Sequence, residues 1–233
     1  AILLIPLISS YFLSKNLFLH FNMMKKILFI LFLFFVGCGT KKDTEISSNS
    51  SNKISPERGV YSVVIDKTEL SWIGKELSTK IHTGTLNLRG GTIQVVNDNN
   101  INGSVTINMS SINVTDLQGR AKEMLEGHLR SSDFFDVELY PEATLSFKSK
   151  SFNKLNNKIS FEGQLTIKDI SNPIIFDATL LETTPYLKAK AILSFDRSKF
   201  NVRFRSGSFF ENLGDKLIFD DIDVNITLVT KKQ

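Results

Sequence analysis

The 233-residue chain has one cysteine, one tryptophan and three histidines, and no uninterrupted apolar run long enough to cross a bilayer. Each scarcity removes a class of function. With Cys38 alone there is neither a disulfide framework nor a thiolate cluster for zinc. His20 belongs to an apolar leader; His82 and His128 remain, without clustered cysteine or H-x-x-x-H spacing, so no metal site is expected. No G-x-S-x-G elbow is present, and no constellation for an enzyme stands out. A surplus of basic charge is lacking as well. The net charge is +4, but Lys15, Lys25 and Lys26 lie in a leader that holds no acid, which leaves 25 bases against 24 acids elsewhere. Phosphate backbones bind clustered positive charge, so nucleic acid is not an expected partner. No cofactor is implied.

What is present falls into two parts, and seven of the 19 phenylalanines sit in the first 37 residues. Met23-Met24-Lys25-Lys26, the ten apolar residues from Ile27 to Val36, and Gly37-Cys38 have the three regions of a secretory signal. Ten helical residues reach roughly 15 Å, about half of a bilayer core. Phe35-Val36-Gly37-Cys38 resembles a bacterial lipobox, which implies cleavage before Cys38 and acylation of its sulfur. Two or three acyl chains then give a firm membrane anchor. Gly39 is not the aspartate that commonly retains such proteins in the inner membrane, so the resemblance implies an outer-membrane protein facing the periplasm. Residues 1–22 begin with Ala and are read as sequence upstream of a start at Met23 or Met24. Residues 38–58 hold only Ile46 and Ile54 as large apolar side chains and are expected to be a flexible tether. The globular domain is expected over 59–233.

From Gly59 the dominant period is two. Ile101, Val105, Ile107 and Met109 alternate with polar residues, and so do Ile159, Phe161, Leu165 and Ile167. The pattern returns in Ala189, Ala191, Leu193, Phe195 and in Ile222, Val224, Ile226, Leu228. Each run predicts a strand with one dry face. Turn clusters at Asn97–Asn100, Asn153–Lys158, Asp169–Pro173 and Glu182–Pro185 join them by short connections, which imply antiparallel pairing in a sandwich or barrel. One stretch has helical spacing: Leu117, Ala121, Met124, Leu125 and His128 predict a helix from about Asp116 to Leu129. Thr115-x-x-Gln118 has the form of a capping box, and Gly119 is expected to cost the helix about 1 kcal/mol relative to Ala. The helix would close one end of the barrel. Two interiors fit the alternation, one filled by its own side chains and one holding a slender ligand.

Several blocks resemble one family. His128-Leu129-Arg130-Ser131-Ser132-Asp133-Phe134-Phe135-Asp136, followed by Tyr140-Pro141 and an apolar strand, is similar to the HL-x-S-x-DFFD and YP signature of the YceI-like family. Gly163-Gln164-Leu165-Thr166-Ile167-Lys168, Asp196-Arg197-Ser198-Lys199-Phe200 and His82-Thr83-Gly84 resemble three further family blocks. Asp169 and Asn201 stand where the family usually has glycine; both residue types tolerate positive φ, so the turns are expected to survive. The resemblance implies an all-β, eight-stranded antiparallel lipocalin-like barrel with one helix. Its cavity would bind a polyisoprenoid lipid, a quinone or a polyprenyl phosphate.

A tube for such a chain needs apolar walls and few directed polar contacts. The dry-face residues expected to line it are Trp72, Val105, Ile107, Met109, Leu145, Phe147, Phe161, Leu165, Leu193 and Phe195. Phe134 and Phe135 are candidate gates or plugs. Arg197, Arg203 and Arg205, with Lys199 and around Phe200 and Phe204, read either as a solvated strand face or as a basic rim for a phosphate head group. His82 is expected to be structural, and His128 to hydrogen-bond a loop backbone at the helix end. A structural or adhesive barrel with a packed interior is the competing reading.

Overall fold

The computed structural model describes residues 54–233. The expectations for residues 1–22, the signal segment, Cys38 and most of the tether fall outside the described residues. The period-two runs become nine strands: β1 Gly59–Val63, β2 Glu69–Lys75, β3 Ile81–Asn97, β4 Asn100–Val114, β5 Glu142–Asn153, β6 Lys158–Ile167, β7 Ile170–Glu182, β8 Leu187–Asp196 and β9 Asp221–Lys232. One α-helix, α1 Gly119–Arg130, separates β4 from β5.

Neighbouring strands pair antiparallel from β2 through β9, and β9 pairs back onto β2, which closes an eight-stranded barrel. β1 does not add a ninth stave. Tyr61 of β1 lies opposite Ile93 of β3 and Lys232 of β9, while Leu70 of β2 lies opposite Leu86 and Ile226 on the same two strands. β1 and β2 are therefore two lengths of one stave, broken by a 3-10 turn at Ile65–Lys67. Closure removes the two terminal edges of an open sheet and leaves, among the described residues, a stretch of unpaired edge where β7 and β8 splay apart before Asp177.

The dry faces meet inside. Ile101, Val105, Ile107 and Met109 of β4 are buried, as are Ile159, Phe161, Leu165 and Ile167 of β6. The packed unit also reaches back past Gly59: Ile54 lies against the core, and the Glu57 carbonyl accepts the Tyr61 hydroxyl at 2.7 Å.

Lys168 and Asp169 take φ of 51° and 57° in a two-residue reversal between the paired Ile167 and Ile170. Consecutive left-handed residues match the twist of a tight hairpin. Asn201, at φ 58°, ends the 3-10 turn Arg197–Phe200. Both substitutions for glycine thus sit at positive φ. The turn expected over Asp169–Pro173 is tighter than its composition implied, because Pro173 lies within β7 opposite Gln164. β8 pairs β7 only from Asp177 onward, so the amide that proline lacks is not needed there.

The helix begins three residues later than its periodicity implied. Gln118 occupies the N-cap position with no side-chain hydrogen bond. Thr115 and Asp116 are committed elsewhere: the Thr115 hydroxyl pairs with Thr83, and the Asp116 carboxylate accepts the Thr83 N–H. Gly119 has φ of +54°, so glycine relieves the entry into the helix where a cost to its interior was expected. Ala121 and Met124 also face outward, Met124 with 65% exposure, while Leu125 and Leu129 turn toward the barrel.

Candidate functional site

The barrel is filled over one part of its length and hollow over another. Phe161 and Phe176 stack at 5.3 Å between ring centroids, and Phe147 meets both edge-on at 5.2 and 5.8 Å, which fills the interior between β5, β6 and β7. Toward α1 the interior opens into a cavity of about 300 Å³ with almost wholly apolar walls. Strand register arranges one wall in rows. Leu70, Leu86 and Ile226 form the innermost, followed by Trp72, Gly84 and Val224, then Gly74, His82 and Ile222; Glu76 and Ile218 lie at the mouth.

Of the expected lining residues, Trp72, Val105, Ile107, Met109, Leu145, Leu165, Leu193 and Phe195 face this cavity. Phe147 and Phe161 do not, because they are consumed by the aromatic packing with Phe176. Phe134 and Phe135 line the end beneath α1. Their loop is held by backbone bonds from Phe135 N–H to Leu129 and from Asp136 N–H to Ser131, and Lys168 Nζ donates to the Phe134 carbonyl at 3.2 Å. Sequence reading passed over Phe204, Val224 and Ile226 as lining residues. Val224 and Ile226 carried a usable signal, since they belong to the alternating run that became β9.

His128 departs from expectation. Its ring is wedged edge-on between Phe134 and Phe204, at 5.1 and 4.3 Å, with Nε2 3.9 Å from the Asp133 carboxylate. It is the His128 carbonyl, and not its ring, that bonds the loop, accepting from the Ser131 hydroxyl at 2.8 Å. His82 Nδ1 lies 2.8 Å from Asp116 Oδ2, which joins β3 to the segment leading into α1. Burial alone would raise the Asp116 carboxyl, but the Thr83 N–H and the His82 ring outweigh it and hold its pKa below the ordinary aspartate value.

The basic cluster is neither a strand face nor a common rim. Residues 197–200 form a 3-10 turn, and positive φ at Asn201, Arg205 and Asn212 keeps the following segment irregular. Arg197 is fully buried. It donates to the carbonyls of Val202, Phe204, Ile218 and Phe219 at 2.9–3.3 Å, and Asp220 Oδ1 stands 3.1 Å from Nη2 as counter-charge without hydrogen-bond alignment. A guanidinium so engaged has no face left for a phosphate. Its role is to staple the segments that carry Phe204, Arg205 and Ile218 to the cavity mouth. Arg203 lies over the Phe209 ring at 4.8 Å, away from the cavity lining. Arg205 does line the mouth, with its guanidinium 5.0 Å from the centroid of Phe204.

Comparison with known proteins places this architecture. A family model described as a YceI-like domain matches residues 61–230. A UPF0312 protein of Photorhabdus laumondii is 29% identical over 58% of this chain and 65% of its own length. YceI of Escherichia coli O157:H7 is 32% identical over 34% of this chain and 37% of its own length. The alignments thus cover less than two thirds of these relatives. Among solved structures, BcnA of Burkholderia cenocepacia is similar with a TM-score of 0.51 at 20% identity, over 72% of this chain and 98% of its own. A polyisoprenoid binding domain from Saccharophagus degradans, implicated in plant cell wall breakdown, is similar with a TM-score of 0.54 at 13% identity, over 76% and 100%. At these identities the two structures share the fold with this chain. The extent of the family match, together with the closed barrel and the block around His128, shows that the chain belongs to the YceI-like family.

Proposed function

We propose that this chain is a lipid-anchored envelope protein that binds a polyisoprenoid lipid, of the quinone or polyprenyl phosphate type, in the hollow part of its barrel. It carries or sequesters the lipid without chemically changing it. The cavity is the observation that supports this most directly: about 300 Å³, enclosed by side chains such as Val105, Leu145, Leu165 and Leu193. Apolar surface removed from water contributes about 25 cal/mol per Å², which suits a long hydrocarbon chain with few directed contacts. The polyisoprenoid-binding neighbour from Saccharophagus degradans supports the same ligand class. The bound lipid takes the place of a cofactor, and the partner is the membrane reached through an acylated Cys38, on the periplasmic side of the outer membrane.

Two measurements test this. The full chain, extracted from membranes and purified, should release a polyprenyl compound into organic solvent, identified by mass spectrometry. A chain that carries none, and takes up none when offered, is a packed structural barrel. Separately, Cys38→Ser should leave an unprocessed or soluble product, and a processed variant that still fractionates with membranes would remove the anchor from the proposal.

A further inference from the structure

Among the described residues the exposed phenylalanines are Phe209, Phe210 and Phe219, and all three belong to the irregular segment between β8 and β9 at the cavity mouth. Asp220 Oδ2 accepts the Ser206 and Ser208 hydroxyls at 2.8 Å each, which draws the stretch before Phe209 against the residue after Phe219. Joined to this segment is the turn between β2 and β3, where Leu77 is 48% exposed. The Leu77 N–H donates to the Leu217 carbonyl, and the Phe219 N–H to the Lys75 carbonyl, both at 2.9 Å. Each exposed side chain here neighbours a residue of the cavity lining: Leu77 follows Glu76, and Phe219 follows Ile218. Large apolar side chains held out around an apolar opening mark a surface that is covered in use.

Charge and chain length point to a bilayer as the cover. From Arg197 to Phe210 the chain has four bases and no acid. Arg197 is consumed in the interior, but exposed Arg203 lies over Phe209 at 4.8 Å and Arg205 over Phe204 at 5.0 Å. A guanidinium resting on an aromatic face suits the boundary between hydrocarbon and phosphate. Glu76, Glu211 and Asp215 keep the net charge of this rim small, so apolar burial supplies most of the contact. The tether enters at the opposite end of the barrel, where the Ser55 hydroxyl bonds Asp98 in the β3–β4 turn. The 17 residues of β3 cover about 55 Å between that turn and the rim. The 16 residues from Cys38 to Ile54 also span at most about 55 Å, so a membrane that holds Cys38 is within reach of the rim. A lipid leaving the hollow into water would lose the burial that holds it, and a rim seated in the bilayer removes that cost.

We infer that Leu77, Phe209, Phe210 and Phe219 insert into the surface of a phospholipid bilayer, with Arg203 and Arg205 at the level of its phosphates, so that the hollow opens onto the membrane. The inference rests on the anchored-carrier reading above and adds a second membrane contact, independent of Cys38.

The full chain is reconstituted from detergent into vesicles of equal parts phosphatidylcholine and phosphatidylglycerol, with or without bromine deep in the acyl chains. Phe210→Trp reports on the rim. Leu155→Trp reports on the tether end, where Leu155 is 98% exposed and Lys154 pairs with Asp98. Brominated lipid should quench Phe210→Trp well beyond the wild-type chain, whose one tryptophan is Trp72, and should leave Leu155→Trp as wild type. A double variant, Phe209→Ser with Phe210→Ser, should release its co-purified lipid to added vesicles roughly tenfold more slowly, as expected when two half-exposed rings are no longer buried. If the wild-type chain carries no lipid, the quenching alone decides. The inference is overturned if Phe210→Trp is quenched no more than wild type, if Leu155→Trp is quenched equally, or if the double variant releases lipid at the wild-type rate. Emission of Phe210→Trp that follows protein concentration in detergent, and not brominated lipid, would give the rim to a second copy and also overturn it. Those results leave the carrier reading standing, whereas quenching at Phe210→Trp in a chain that neither carries nor takes up lipid would uphold the docking and remove the carrier.

Discussion

Trp72 packs against Gly84 across the β2–β3 pair, close enough that a β-carbon at Gly84 would stand 2.3 Å from the indole and 2.4 Å from the Asn113 carbonyl oxygen. The glycine of the His82-Thr83-Gly84 block is thus a matter of space, since it lets an aromatic ring form part of the cavity wall. Gly84→Ala should cost about 1–3 kcal/mol, as overpacking of a tight interior does, and should shift the tryptophan emission. Gly90→Ala on the same strand is the control. A β-carbon there meets no atom within 4 Å, and the change should stay within about 0.5 kcal/mol of wild type. Equal denaturation midpoints for the two variants would contradict this account of Gly84.

Arg197 links the barrel to the irregular segment before β9 through four carbonyl oxygens and the Asp220 carboxylate. Burial pushes its pKa down, while Asp220 and Asp196 push it back up. Removing the guanidinium would strand the buried carbonyls together with the acid. Arg197→Met should therefore destabilise by about 3–5 kcal/mol, the typical cost of breaking one side of a buried ion pair. Arg203→Met, at an exposed stacking contact, should cost well under that. Urea titration of the two variants measures the difference.

Two carboxylates tie the helical side of the barrel to the sheet, Asp116 through Thr83 and His82, and Glu126 through the Val114 N–H at 2.9 Å. The Val114 hydrogen bond, with Lys122 and Arg130 nearby, holds the Glu126 carboxyl below its ordinary pKa against the opposing effect of burial. Asp116 is shifted the same way. A carboxyl with a depressed folded-state pKa stabilises the fold above its unfolded value, near 4, and loses that contribution as pH falls through the folded value. Denaturation midpoints should accordingly drop as pH falls from about 5 toward 2. Asp116→Asn combined with Glu126→Gln should lower stability at neutral pH and flatten that acid limb. An acid limb of unchanged steepness in the double variant would assign the acid sensitivity to other groups.

Periodicity carried the fold because a closed antiparallel barrel is written locally: each stave alternates, and short turn clusters join neighbours. The dry face of β6 was legible in this way, whereas the positive φ of Asp169 and Asn201 was expected from the family resemblance, in which both stand where glycine is usual. Alternation is silent on how far interior side chains reach, so Phe161 and Leu165 read alike although one fills the barrel with Phe147 and Phe176 and the other borders its hollow. The basic block misled for a related reason. Alternating Arg and Phe resembles a strand, but the 3-10 turn after Asp196 puts Arg197 inside, where the nearby carbonyls of Val202 and Phe204 and the more distant ones of Ile218 and Phe219 satisfy it. His128 is a similar case, since Phe204 reaches it from 76 positions away and no local pattern announces the contact.

The division of the barrel into a filled and a hollow part separates stability from lipid content. Phe161→Leu should loosen the stack with Phe176 and cost about 1 kcal/mol, yet leave the hollow and its lipid untouched. Leu193→Trp works the other way. Leu193 borders the cavity, where a larger side chain can grow into free space without displacing a packed neighbour, so the barrel should stay folded while room for a ligand shrinks. Lipid recovered per mole of protein should therefore fall sharply in Leu193→Trp at nearly unchanged thermal stability, and hold at the wild-type level in Phe161→Leu despite its lower midpoint. The reverse pattern, lipid lost from Phe161→Leu and kept by Leu193→Trp, would locate the ligand outside this cavity.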